Sequence, residues 1–381
     1  MSLRNLPAGR RSLKGEMPRE GREVLVGVSL SLSGGFRLQG EQALNGLRLW
    51  VEHMTRLGGL RVRLLSLDDR SRAGLAEENV LRLLTRDHVD LLIGPYSSGL
   101  TLAVAPLAAA RGKVLWNHGG ASDVIFQHGW RHLVSVPSPA SDYFRALPLW
   151  VKQGDCEASR ISILYANTGR FASQVAHGVA DGARAAGFEQ IRLFPFDSPI
   201  RDVRVLFREA LAAGPDVLVG VGSFQDDVAI VRRRDLASRV KTLAVVGAGL
   251  EAFHTELGDL AEAVIGPSQW EPARHDDPLI GPSSEWFCSE FFRTFHQRPG
   301  YPAAQAFAVG VVIMECLRRA GSLEDEPLLR AAHALETTTL YGPFRLEPLT
   351  SRQIGHRVLL VQWRDGRKVV ISKGAQVTER L

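Results

Sequence analysis

From residue 23 onward the chain alternates short apolar runs with amphipathic stretches. Val24–Leu30 reads as a buried strand. Gln39–Met54 follows with apolar residues at Ala43, Leu47, Trp50, Val51 and Met54, the spacing of one helix face. Gly58-Gly59 is expected to close that helix, because glycine accepts the left-handed cap conformation. The pattern then predicts a strand at Arg61–Leu67, a helix at Ala73–Arg86, a strand at Val89–Ile93, a helix at Thr101–Arg111 and a strand at Lys113–Trp116. A second run begins near residue 143. It predicts helices at Tyr143–Gln153, Phe171–Ala186, Val203–Ala213 and Asp226–Ser238, and strands at Arg160–Tyr165, Gln190–Phe194, Asp216–Val221 and Thr242–Gly247. Two long helices follow, Ser283–His296 and Ala303–Ala320. The chain then reads as two strands, His356–Trp363 and Lys368–Ser372, with Asp365-Gly366 as a hairpin signal between them. Pro137 and Pro139 fall where the first run gives way to the second, and Pro267 and Pro272 flank another change. Repeated β-α-β order predicts an α/β protein of two doubly wound, parallel-sheet lobes. Ligands of such lobes sit at the carboxyl ends of the strands and at the interface between domains.

Composition changes this picture little. The 381 residues are 45% hydrophobic and 23% charged, an ordinary globular mixture of a length suited to two or three domains. The longest nearly apolar stretches, Leu102–Ala110 and Ala306–Leu317, fall short of the roughly 20 residues a membrane helix needs. The net charge of +5 is concentrated at one end. Residues 1–22 carry six basic residues against two acidic ones, leaving the rest of the chain at +1. That argues for a flexible basic tail and against a nucleic-acid footprint on the folded body. The Arg232–Arg234 run, followed by Asp235, reads as a solvated helix face. Cys156, Cys288 and Cys316 allow at most one internal disulfide and show no zinc spacing. His128 and His132 are four apart, but Gly129 between them argues against a helical metal pair. Neither metal nor cofactor is expected. No apolar segment follows the basic residues of the N-terminus. Gly9–Lys14 is similar to a twin-arginine export signal without its apolar stretch, so either a signal is missing from this sequence or the protein is cytoplasmic.

Two local motifs carry candidate chemistry. Gly94-Pro95-Tyr96-Ser97-Ser98-Gly99 lies between a predicted strand and a predicted helix. Free amides and a partial positive charge at a helix N-terminus suit a carboxylate, and Ser98 adds a hydroxyl. The alternative is that the serines only cap the helix. Trp116-Asn117-His118-Gly119-Gly120-Ala121-Ser122 follows the next strand. Its glycines let backbone amides approach a ligand. Asn117 and His118 can orient one, and His118 can equally be structural. An enzyme using Ser98 with His118 as base would need a nucleophile elbow, which is missing. No GxSxG, Walker lysine or HExxH occurs either, so no catalysis is expected.

Several stretches resemble one family in order and spacing. They are Val26–Gly46, Leu67–Arg70 (LDDR), Val89–Ala105, Pro299–Ala308 (PGYPAAQAFA) and Tyr341–Phe344 (YGPF). Together they are similar to the type I periplasmic binding proteins of the leucine/isoleucine/valine-binding kind. The resemblance implies two lobes joined by three crossovers with the ligand cleft between them. Lobe one would be 23–138 plus 272–340, lobe two 139–271 plus 341–372, with 373–381 a tail. It implies that Ser98 and the amides of Gly120 and Ala121 hold a ligand carboxylate, with Ser122 as a further candidate. From lobe two it implies contacts by Phe171, Ser223, Phe224 and Gln225. Asp226 and Asp227 would begin the next helix. Where amino-acid binders place an acid to pair with the α-ammonium, this chain reads Gly249, with Glu251 two residues on. Trp270, Phe171, Phe224 and Trp116 could build an aromatic slot, the alternative for each being ordinary core. Ser33-Gly34-Gly35 and Phe36 form another helix-entry turn near the cleft. The expected function is an extracytoplasmic, periplasmic receptor that binds a small carboxylate, aromatic, other organic or amino acid, and delivers it to an ABC transporter permease. The alternative is a cytosolic amide or amino-acid sensor that regulates a partner protein.

Overall fold

The computed structural model describes residues 23–56, 60–272 and 277–372. The basic tail, Gly58-Gly59 and the C-terminal tail lie outside them. The elements in chain order are β1 (Glu23–Leu30), α1 (Arg37–Arg56), β2 (Arg61–Asp68), α2 (Ala73–Thr85), β3 (Leu91–Ile93), α3 (Ser98–Ala109), β4 (Leu115–Asn117), β5 (Leu133–Ser135), α4 (Leu147–Gly154), β6 (Arg160–Ala166), α5 (Phe171–Ala185), β7 (Gln190–Phe196), α6 (Val203–Leu211) and β8 (Val217–Val221). They continue with α7 (Phe224–Arg232), β9 (Thr242–Val245), α8 (Glu251–Leu257), β10 (Ile265–Ser268), α9 (Ser284–Phe295), α10 (Tyr301–Ala320), α11 (Asp325–His333), β11 (Thr337–Thr339), β12 (Gly342–Phe344), β13 (Leu359–Arg364) and β14 (Arg367–Ser372).

The first sheet runs β2-β1-β3-β4-β5 with every pairing parallel. Alternate residues of β1 explain its two coats. Val24, Val26, Val28 and Leu30 pack into a core with α1, α9, α10 and α11, while Leu25 packs on the opposite face with α2 and α3. Helices α1 and α10 approach so closely that a Cβ on Gly46 would lie 2.2 Å from the Ala303 carbonyl oxygen, so only glycine fits there.

The second sheet runs β14-β13-β10-β9-β8-β6-β7. Its middle and one edge are parallel, but β13 joins β10 antiparallel and pairs with β14 as a hairpin. Asp365 and Gly366 both have positive φ, 49° and 69°, the paired left-handed residues of a two-residue hairpin turn. One apolar core buries this sheet against α4 to α8.

Several elements depart from the sequence pattern. The helix expected at Tyr143–Gln153 begins only at Leu147, after a short 3-10 turn at Ala140–Asp142. The helix expected at Asp226–Ser238 begins at Phe224, because Ser223 caps it, and ends at Arg232 before a 3-10 turn. Strand β10 and helices α8 and α11 are short and escaped the periodicity. Leu340, Tyr341, Phe344 and Leu346 pack with the first core, and the chain enters the second sheet at Leu359.

Candidate functional site

The carboxyl ends of β3 and β4 build one half of the site. Ser97 caps α3: its hydroxyl accepts from the Leu100 amide at 3.3 Å, and its backbone stands at φ 92°, a region that side chains avoid. Ser98 does something else. Its Oγ accepts from the amides of Ala121 at 3.2 Å and Ser122 at 2.9 Å, tying the two motifs together and leaving its own proton to donate.

Asn117 shapes the loop that follows β4. Its Oδ1 accepts from the Gly119 and Gly120 amides, and its Nδ2 donates to the Gly120 carbonyl at 2.7 Å and Ser135 Oγ at 2.9 Å. The Asn117 amide and the Gly120 N–H are therefore engaged within the protein. Gly120 is required sterically, since a Cβ there would sit 2.4 Å from Thr101 Oγ1. His118 is fully buried. Burial pushes its pKa down to about 4, with the Gly94 backbone pulling weakly the other way. Neither ring nitrogen has a partner in hydrogen-bonding geometry among the described residues.

Of the aromatic residues considered for a slot, two pack in the core. Trp270 belongs to the first core: it stacks edge-on against Phe287, and its indole N–H donates to the Leu340 carbonyl at 3.0 Å. Trp116 is likewise fully buried in that core. Several tyrosines gather near the β3–α3 turn. The hydroxyls of Tyr96, in the β3–α3 turn, and Tyr301, the first residue of α10, meet at 3.0 Å. Burial, and then the neighbouring phenols of Tyr143 and Tyr341, raise the pKa of Tyr96. Burial and then Tyr301 do the same for Tyr143. Four of the five tyrosines thus converge. Phe36 lies 6.1 Å from Tyr96, and Phe171, at the start of α5, packs edge-on to Tyr143 at 5.2 Å. Tyr96 and Tyr301 both stood inside quoted motifs; no spacing rule joins them, because their turns meet only in three dimensions.

The second sheet contributes a turn at Gly222–Asp227. Ser223 and Asp226 form a reciprocal cap: Ser223 Oγ accepts from the Asp226 amide while the Asp226 carboxylate accepts from the Ser223 amide and hydroxyl. Ser223 and Gln225 are exposed, and Phe224 is half-buried. Asp227 is buried and accepts from the amides of Gly222 at 3.1 Å and Gly247 at 2.7 Å, binding the ends of β8 and β9 together. Glu251 is exposed and pairs with Lys368 at 3.0 Å. The buried Glu271 pairs with the same lysine at 2.7 Å, and Lys368 also donates to the Gly249 carbonyl. All four of these acids, Asp226, Asp227, Glu251 and Glu271, are engaged within the protein.

Two further features were not anticipated. Gln174 of α5 accepts from Ser122 Oγ at 2.7 Å and from the Asp123 amide at 2.9 Å, linking the second sheet's helix layer to the loop after β4. The three connections between the sheets are also joined to one another. Gln269 pairs with both backbone groups of Ser138 and accepts from the Tyr341 hydroxyl. His356 Nδ1 lies 2.7 Å from Ser138 Oγ, Nε2 lies 3.1 Å from the Tyr341 carbonyl, and the His356 and Tyr341 rings stack at 4.4 Å. No cluster of metal-ligating side chains occurs among the described residues, and no helix among them is long and apolar enough to cross a membrane.

Two α/β sheets, each with its own core, joined by three connections define a two-lobed fold. The chain belongs to the periplasmic binding protein family, whose model matches residues 23–368, and to its type I, leucine/isoleucine/valine-binding branch. It is 23% identical to a Leu/Ile/Val-binding protein homolog 8 of Brucella abortus (strain 2308), over 92% of this chain and 90% of that one. Its fold is similar to a leucine binding protein from Thermotoga maritima MSB8, with TM-score 0.80 and 18% identity over 92% of this chain and 98% of that one. It is also similar to a solute binding protein of an ABC transporter from R. palustris in complex with benzoate, with TM-score 0.76 and 18% identity over 92% and 96% of the two chains.

Proposed function

We propose that this chain is the periplasmic receptor of an ABC transporter, that it binds a small carboxylate between its lobes, and that it presents the ligand to a membrane permease without catalysing a reaction. The observation that carries the reading is the Ser98 hydroxyl held against the amides of Ala121 and Ser122 at the start of α3. A carboxylate there would accept from Ser98 and compete for the two amides, in the positive field of the helix N-terminus. Lobe one is taken as 23–138 plus 272–340 and lobe two as 139–271 plus 341–372, with Tyr341, Phe344 and Leu346 of the last crossing still packed on the first core. Phe171 and Phe224 would cover the ligand from lobe two as the lobes close, and closure is favoured only by contacts made in the closed state. With Asp227, Glu251 and Glu271 committed to partners within the protein, an α-ammonium would lack a counter-charge, which costs several kcal/mol. The ligand class we favour is therefore a carboxylate without an amino group, an aromatic acid being its sharpest form. The benzoate-bound relative supports that choice.

The test is a thermal-shift panel of aliphatic amino acids, small amides, aliphatic acids and aromatic acids. A ligand at about 100 times its Kd adds roughly 2.7 kcal/mol, a shift of several degrees. Aromatic or other non-amino acids should stabilise the protein and leucine should not. Ser98→Ala should weaken the best acid by about tenfold, one charge-assisted hydrogen bond. An unchanged affinity would remove Ser98 from the site, and stabilisation by leucine alone would refute the ligand class.

A further inference from the structure

Some hydrogen-bonding capacity close to the Ser98 turn remains after the protein's own bonds are counted. His118 is fully buried, yet neither ring nitrogen has a partner in full hydrogen-bonding geometry among the described residues, although the Gly94 backbone interacts with the ring. The Tyr96 and Tyr301 hydroxyls share one hydrogen bond, which uses one of their two protons. The other proton has no acceptor in hydrogen-bonding geometry among the described residues. These groups are adjacent: the Tyr96 and His118 rings lie 6.4 Å apart, and Tyr96 is two residues before Ser98 in the same turn. Buried polar groups of native proteins are nearly always paired, so the buried His118 imidazole, beside a half-buried phenol pair with a proton to spare, calls for a partner from outside the chain.

The chemistry of that partner follows from the donors. A neutral imidazole offers one N–H and one acceptor nitrogen, and the phenol offers an O–H. A hydrogen or methyl group on the ligand would leave all of them unpaired. An ammonium would meet no anion, and a second carboxylate no cation. A hydroxyl, donor and acceptor on one atom, pairs with both.

We propose that the cleft selects hydroxylated carboxylates, with His118 and the Tyr96–Tyr301 pair reading the hydroxyl while the carboxylate occupies the Ser98 turn. This rests on the carboxylate reading above and makes His118 a specificity-determining residue.

Titration calorimetry on the full chain tests it with matched pairs: 3- and 4-hydroxybenzoate against benzoate, and 2-hydroxy-3-methylbutanoate against 3-methylbutanoate. At least one hydroxylated acid should bind tenfold or more tighter than its parent, because a site built for a hydroxyl rejects the analogue lacking it. His118→Leu should bring that ratio toward one. Tyr301→Phe, which removes a single oxygen, should lower the same ratio and serves if the His118 variant does not fold. A wild-type ratio near one, or a ratio unmoved by both variants, overturns the proposal. In that case, loss of binding of the plain acids in Ser98→Ala would leave the carboxylate reading standing. Failure of every acid to bind overturns both.

Discussion

Asp226 and Asp227 are neighbours that meet opposite fates. The Asp226 carboxylate accepts from two serine hydroxyls and two amides, and these bonds hold its pKa below the usual range against the effect of burial. Asp227 faces the other way. Burial pushes its pKa up to about 8, although the Gly247 and Gly222 amides oppose the shift. An acid whose folded pKa is raised holds its proton in the native state while the unfolded chain has already released it. Stability then falls as pH rises from about 4, where unfolded aspartate ionises, to about 8. Asp227→Asn should flatten the fall in Tm between pH 6.5 and 8. That window lies above the titration of His118, which has the opposite slope below 6.5 because its folded pKa is depressed. Parallel Tm curves for the variant and the wild type would contradict the assignment. The sequence marked both acids as helix-starting residues; only burial separates them.

At the scale of elements, the loop after β4 illustrates what local pattern can and cannot carry. The strand and the paired glycines were legible, since an apolar run ending in Gly-Gly is a local signal. That the Asn117 side chain would act as the internal scaffold of the loop was not legible, because its partners Gly120 and Ser135 lie on the loop itself and on the neighbouring strand. Removing that side chain strands buried backbone groups at Gly119 and Gly120. Asn117→Ala should destabilise the protein by about 2–4 kcal/mol, visible as a reduced denaturation midpoint at constant m. A loss below about 0.5 kcal/mol would mean that solvent satisfies those groups. The late starts of α4 and the early start of α7 have the same origin. Periodicity finds the face a helix buries, while the ends are decided by a cap such as Ser223 or by a 3-10 turn at a crossing point.

At the scale of the whole molecule, the link between the lobes is a set of side-chain amides and rings: Gln269 with Ser138 and Tyr341, His356 between Ser138 and Tyr341, and Gln174 on Ser122 and Asp123. If the lobes swing apart to admit ligand, the two Gln174 bonds belong to the closed state. Gln174→Ala should then weaken ligand binding by about tenfold, the worth of one to two net hydrogen bonds, while shifting the ligand-free Tm by no more than a degree or two. Calorimetry beside a ligand-free thermal scan checks this. An equal loss in both would make Gln174 a static contact.

The alternation of buried runs with amphipathic stretches determined the two wound lobes, because a strand or helix must bury its apolar face whatever its distant neighbours are. The serine turn at the start of α3 was likewise local and readable. The placement of the aromatic residues was decided by tertiary structure alone. Trp116 and Trp270 went to the core because the crossovers bring them against α9 and α10, and Tyr96, Tyr143 and Tyr301, far apart in the chain, were brought together by the meeting of three turns. The unpaired state of His118 is of the same kind, for a side chain's burial and its lack of partners depend on every element packed around it, and no window of sequence contains them all.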